Sequence, residues 1–188
     1  ALRPDRMDDL LDIGTGTGRI LELFGPKIGS GVGVDLSREM LAIARANLEA
    51  RTLVNCQVRQ GDMYDLPWDD ARFDAVTVHQ VLHFADDPAA AIAEAARVLR
   101  TGGRIAIVDF TPHDREELRI EHAHRRLGFG DEEVAEWLQA AGLRPDGVRH
   151  LPGEPLTVGL WTARREFAQP AVASRVAAPP VHVEEALR

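Results

Sequence analysis

A length of 188 residues suits a single domain that buries roughly 70% of its unfolded surface. The net charge of −8, from 22 basic and 30 acidic side chains, argues against a broad nucleic-acid footprint. The single cysteine, Cys56, excludes an intrachain disulfide and points to a cytoplasmic setting, while the absence of any run near about 18 apolar residues argues against a transmembrane helix.

Short apolar runs alternate with helical stretches, the pattern of βαβ units around a parallel sheet. Leu10–Ile13 reads as the first strand, followed by a short helix over Arg19–Phe24 that Gly25-Pro26 stops. Gly31–Asp35 is the second strand. Ser37 caps a helix through about Ala50, with Met40, Leu41, Ala44 and Leu48 at helical spacing. Val54–Arg59 alternates weakly and is expected as an edge strand. Phe73–His79, rich in β-branched residues, is the fourth strand. Pro88–Leu99 is a helix begun by proline and ended by Gly102-Gly103, and Arg104–Phe110 is a buried fifth strand. Asp131–Ala141 is an amphipathic helix with acids in its first turn and Gly142 as its stop. Gly147–Leu151 and Leu156–Ala163 flank Pro152-Gly153-Glu154-Pro155, which predicts an antiparallel hairpin. Residues 1–165 thus form one α/β domain, and 166–188 are expected as an extended or disordered tail.

The loop Asp12-Ile13-Gly14-Thr15-Gly16-Thr17-Gly18 joins the first strand to the first helix. Glycines here let the backbone turn tightly and approach a ligand, and the helix start offers free N–H groups. Asp35, at the end of the second strand, is placed to accept hydrogen bonds from both hydroxyls of a ribose. The G-x-G-x-G spacing differs from the G-x-G-x-x-G of dinucleotide sites, which disfavours a nicotinamide oxidoreductase. Asp12 beside the loop suits a ligand bearing ammonium and sulfonium charges better than a pyrophosphate.

These residues resemble a known family. LDIGTGTG at Leu11–Gly18, VGVDLSREML at Val32–Leu41, QGDMYDLPWDDARFDAVTVHQVLHF at Gln60–Phe84 and RVLRTGGRIAIVDF at Arg97–Phe110 are similar, in order, to the motifs of class I S-adenosylmethionine-dependent methyltransferases. The subgroup they most resemble holds ubiquinone/menaquinone-type C-methyltransferases. Glu121–Leu143 further resembles methyltransferase domains fused to ArsR-type regulators.

The resemblance implies a Rossmann-like, doubly wound sheet of seven mostly parallel strands with a C-terminal antiparallel hairpin. It implies S-adenosylmethionine as cofactor and S-adenosylhomocysteine as product. Gly14, Gly16 and Gly18 would surround the methionine portion, with Asp12 beside them, and Asp35 the ribose. Leu36 or Met40 would lie against the adenine, Asp62 after Gly61 would accept from its amino group, and Met63 would pack on the ring. His79 and Gln80 would face the sulfonium and the acceptor. For Met40 and Met63 plain core packing is the alternative, and for Asp62 a turn cap. Family members usually carry a helix before the first strand, whereas eight residues precede Asp9, so a more open site or a missing segment is implied.

Methyl transfer from a sulfonium is an in-line displacement, and a base is needed only where the acceptor carries a proton that must leave. His79 and His83 follow the fourth strand and are the candidates for that base. His113, His122 and His124 fall in a segment that in this family lies over the acceptor. A metal is disfavoured, because residues two apart on a helix do not share a face. Arg125-Arg126 either bind an anionic acceptor or pair with Glu121 on a solvated face. A lone cysteine disfavours arsenite as the acceptor. A small molecule is expected as acceptor, with no nucleic acid. The alternative is a cofactor-binding sensor without turnover.

Overall fold

The computed structural model describes residue 2 and residues 7–166, so the expected tail lies, beyond Glu166, outside the described residues. Seven strands form one sheet: β1 (Asp9–Ile13), β2 (Ser30–Asp35), β3 (Cys56–Gln60), β4 (Phe73–His79), β5 (Leu99–Phe110), β6 (Leu143–Leu151) and β7 (Val158–Arg165). Their order is β3-β2-β1-β4-β5-β7-β6. The first five are parallel; β7 runs antiparallel to both β5 and β6. The helices are α1 (Arg19–Phe24), α2 (Arg38–Ala50), α3 (Pro88–Val98), α4 (Glu117–Glu121) and α5 (Asp131–Ala140).

Side chains alternate across each strand, so the sheet builds two cores. Leu10, Val58 and Ala75 pack under Leu21 of α1 and Leu41, Ala44 and Leu48 of α2. Leu11, Val34, Val76, Ile105, Ile107 and Trp161 face the other way, under Ile92 and Ala95 of α3 and Val134 and Leu138 of α5. Because β2 and β4 both flank β1, the connections leave in opposite directions there and open a crevice at the carboxyl ends of these strands.

Most expected elements are present, and the departures have local causes. The edge strand starts at Cys56, leaving Val54 exposed. β5 starts at Leu99, where Leu99 pairs with Phe73, then bulges before Arg104 rejoins β4 opposite Ala75. A Cβ on Gly103 would meet the carbonyls of Arg100 and Asp74, which is why the expected helix stop is also a strand irregularity. β6 begins at buried Leu143, ahead of the expected Gly147; a register shift between Pro145 and Gly147 accommodates a residue with no N–H to donate. The hairpin itself is as expected, although its second strand, β7, is the one that joins the sheet. Helix α4 carries no buried residue and so has no apolar period to read.

Candidate functional site: the crevice at the ends of β1, β2 and β4

The glycine loop is held to β2 by backbone bonds. Thr15 N–H donates to the Val34 carbonyl at 2.9 Å, and Gly16 N–H donates to Asp35 Oδ2 at 2.9 Å. Ser37 N–H donates to Asp35 Oδ1, also at 2.9 Å. Both carboxylate oxygens are therefore fixed, and each keeps a second lone pair for a ligand. Gly14 sits at φ 68°, and a Cβ there would collide with the Val81 side chain, so the turn closes against the segment after β4. Gly18 adopts a left-handed conformation at the start of α1, against Ala44.

A cavity of about 380 Å³ opens here. On one side it is lined by Ile13, Gly14, Val34, Asp35 and Leu36, with Gly61, Asp62, Met63 and Tyr64 at one end. Val81, Phe84, Ala85, Asp86 and Arg125 close the other side. Of the expected residues, Gly14, Asp35, Leu36, Gly61, Asp62 and Met63 are thus brought together on one wall. Gly61 N–H donates to the Asp35 carbonyl at 3.1 Å, tying the ends of β3 and β2. Asp62 accepts from Tyr64 N–H through Oδ1 at 3.0 Å, so it caps a turn and still lines the cavity with its carboxylate.

The remaining expected residues lie off that wall. Met40 is exposed on α2. Gly16 and Gly18 lie along the loop behind Gly14. Asp12 is fully buried within the sheet, where Thr77 Oγ1 donates to its Oδ1 at 2.6 Å. Its Oδ2 and the nearby Thr15 Oγ1 are buried with no hydrogen-bond partner among the described residues. Burial pushes the Asp12 carboxyl up to about 6, with the Thr77 hydroxyl acting against it and the Asp35 charge adding to it. His79 is half-buried, and burial lowers its pKa despite the nearby Asp109 carboxylate. Gln80 follows at φ 49°, an unfavourable conformation for a residue with a side chain, at the very end of β4.

His83 is almost wholly buried and bonds through Nδ1 to Asp109 Oδ1 at 2.7 Å, rather than lining the cavity. Arg125 pairs with Asp86 and Arg126 with Glu133, so the solvated-face partners are these acids instead of Glu121. Tyr64, Val81, Phe84, Ala85, Asp86 and Asp109 were not singled out from sequence. Val81 and Phe84 had a signal, since they follow a strand that ends at the crevice; Asp109 comes from far along the chain and had none, and Arg125 was singled out with Arg126 but not for its pairing with Asp86. Among the described residues no group of three His, Cys, Asp or Glu side chains is arranged to hold a metal ion. No described helix is long and apolar enough to cross a membrane.

The donor set suits S-adenosylmethionine. The glycine loop holds the Asp35 carboxylate at the cavity, and behind it the buried Asp12 keeps one oxygen without a hydrogen-bond partner among the described residues.

Residues 11–107 match the protein-family model described as a methyltransferase domain. The chain is 41% identical over 109 residues to the 2-phytyl-1,4-beta-naphthoquinone methyltransferase of Arabidopsis thaliana chloroplasts, covering 55% of this chain and 42% of that protein. It is 34% identical over 162 residues to a phosphatidylethanolamine N-methyltransferase of Cereibacter sphaeroides, covering 83% of this chain and 78% of that one. Among solved structures, an S-adenosylmethionine-dependent methyltransferase from Methanosarcina mazei superposes with a TM-score of 0.74 at 20% identity, covering 89% of this chain and 95% of that one. The chain spans about two fifths of the length of the first curated relatives it matches, 42%, 42% and 39% in turn.

Proposed function

From the chain's membership of the methyltransferase-domain family, whose cofactor is S-adenosylmethionine, we propose that it carries a methyl group from that cofactor to a small-molecule acceptor by in-line displacement. The observation that carries this reading is the bracing of Asp35. Its two oxygens take backbone N–H bonds from Gly16 and Ser37 while it lines the cavity, so loop and carboxylate form one preorganised grip.

In this reading Gly14, Gly16 and Gly18 admit the methionine portion, and Asp12 supplies charge for its ammonium. Asp35 takes the ribose hydroxyls. Leu36, Met63 and Tyr64 flank the adenine and Asp62 accepts from its amino group. Met40 is left as part of the exposed face of α2. His79 and Gln80 stand on the sulfonium side, and His79 and His83 are the candidates for any proton that must leave. Bound cofactor supplies the activated methyl group. The chain's own contribution is alignment and exclusion of water, worth roughly 7–11 kcal/mol in such reactions.

A small acceptor is supported by the two relatives, a naphthoquinone methyltransferase and a phosphatidylethanolamine N-methyltransferase. Kinship with the quinone subgroup rests on the same support. The lone cysteine supports a cytoplasmic setting.

Calorimetry with S-adenosylhomocysteine and with NAD tests the reading. The thioether nucleoside is expected to bind and NAD not to. Asp35→Ala is expected to weaken binding by roughly 1.5–3 kcal/mol, the scale of hydrogen bonds to a charged group. Unchanged affinity in that variant, or binding of NAD in place of the thioether, would remove the assignment.

A further inference from the structure

One buried polar constellation beside the cavity is not used in holding the cofactor. Asp109, fully buried near the end of β5, accepts four hydrogen bonds. Oδ2 takes Leu82 N–H at 3.0 Å and His83 N–H at 3.3 Å; Oδ1 takes Phe110 N–H at 2.8 Å and faces His83 Nδ1 at 2.7 Å. A carboxylate that accepts three backbone N–H groups has acceptor capacity only, so the proton on the fourth bond sits on Nδ1. That leaves Nε2 of His83 as a bare lone pair in a ring fixed in orientation.

The ring is packed among others, each tilted against it. Phe84 and His124 lie 4.1 Å from it between centroids, and Phe110 at 5.2 Å. His124 is buried and its Nδ1 has no hydrogen-bond partner among the described residues; the same is true of His113 Nε2. A buried ring nitrogen left unpaired costs roughly 1–3 kcal/mol, so such atoms mark where a donor from a ligand lands. Phe84 belongs both to this ring layer and to the cavity wall, which makes the two continuous.

We propose that His83 Nε2 accepts the proton of the methyl acceptor, with Asp109 as the positioning residue, and that the acceptor is a flat ring bearing an O–H or N–H. This rests on the methyl-transfer reading above. The acceptor's lone pair forms the bond to the methyl carbon, the carbon–sulfur bond breaks with its pair returning to sulfur, and the acceptor's proton passes to Nε2. The imidazolium so formed faces the Asp109 carboxylate and later releases its proton to water. The rings of Phe84 and Phe110, which pack on His83 and His124 in the closed arrangement, supply the flat surfaces that hold a planar acceptor. Entry requires residues 113–127 to move aside. This stretch rests on His83 through Arg125 and Arg126 N–H bonds to its carbonyl, and its one helix, α4, buries no side chain. The titratable groups around the pair are His79 from β4 and His113 and His124 from the covering stretch, with His122 beside His124.

Nitrogen-15 histidine spectra of the whole protein test this without turnover. Wild type is expected to show His83 as the Nδ1–H tautomer, and Asp109→Asn to shift it toward Nε2–H, because the amide can donate toward Nδ1. Catechol and benzimidazole are the probes, with 1,2-dimethoxybenzene and 1-methylbenzimidazole as the same rings without the proton. The first pair is expected to move the Nε2 resonance and to bind about tenfold tighter than the second, the factor one such hydrogen bond supplies. An Nε2–H tautomer in wild type overturns the proposal. So does an Nε2 resonance that none of the four probes moves while S-adenosylhomocysteine still binds. Failure of S-adenosylhomocysteine to bind sinks the methyl-transfer reading instead, and the tautomer, read without cofactor, still judges the dyad.

Discussion

The two sides of the crevice are built by different physics. The cofactor side, from the glycine loop to Asp35 and Gly61, is fixed by bonds between backbone and backbone or between backbone and one carboxylate, along β1, β2 and β3. The proposed acceptor side, from Gln80 to Asp86 with residues 113–127 above it, has backbone bonds of the same kind but adds packing and pairing between side chains. Asp109 reaches back to Leu82 and His83, His83 and His124 pack ring on ring at a tilt, and Arg125 pairs with Asp86. The first arrangement tolerates little change of shape. The second is adjustable, which suits a wall that must admit an acceptor of its own kind beside a constant cofactor.

Gly14 is where the two sides touch, and its substitution is expected to have the largest effect. At φ 68° with Val81 in the way of any Cβ, Gly14→Ala is expected to cost about 3 kcal/mol in chemical denaturation, combining backbone strain with overpacking. Val81→Ala in the same chain is expected to recover part of that loss by making room. A cost under about 0.5 kcal/mol would mean that the sides do not abut at this point.

Asp12 separates stability from binding through pH. Its carboxyl has a folded-state value raised from 3.8 to about 6, so the fold carries the cost of the buried charge above that pH. The cost fades as pH falls from 6 toward 3.8, where the unfolded chain also takes up the proton. The free protein is therefore expected to gain stability from this group between pH 7 and pH 5. Affinity for S-adenosylhomocysteine is expected to move the other way and fall about tenfold, since one unit below its pKa only about a tenth of a group is charged. Asp12→Asn should flatten both trends, read by thermal melts and calorimetry. Parallel trends in the two measurements would take Asp12 out of the cofactor's reach.

Gly16 sharpens the same contrast on a smaller scale. Nothing lies within 4 Å of a Cβ built there, so Gly16→Ala meets only the strain of φ 53°, about 1 kcal/mol of stability. Its effect should appear mainly in cofactor affinity, where Gly14→Ala acts mainly on the fold. Loss of stability equal to that of Gly14→Ala would contradict the open space seen around it.

How much of this was legible follows the same division. The loop, Asp35, Gly61 and Asp62 are close to strand ends that the apolar runs mark, so backbone geometry could be inferred from spacing. Leu36 and Met63 followed from the resemblance, whereas Met40 did not reach the wall, because the helical period that places Leu41 and Ala44 in the core turns Met40 outward. His83 was read as a candidate base, but its partner was not, since Asp109 lies on another strand and the run RIAIVDF reads simply as buried. Arg125 stands in a stretch with no period at all, where only the folded chain shows which acid it meets.

That ion pair gives the smallest expected effect. Arg125 and Asp86 are both mostly solvent-exposed, with side chains 58% and 68% accessible, so their attraction is screened by water and salt. Arg125→Ala is expected to change stability by less than about 0.5 kcal/mol, measured by chemical denaturation, and to leave the affinity for S-adenosylhomocysteine within about twofold. The variant still removes the one cation lining the cavity among the described residues, beside Asp86 and opposite Asp35 and Asp62. If the proposed acceptor side is adjustable, the wall should open at this point without disturbing the braced side. A loss of cofactor affinity comparable to that of Asp35→Ala would show that the two sides are a single rigid unit after all.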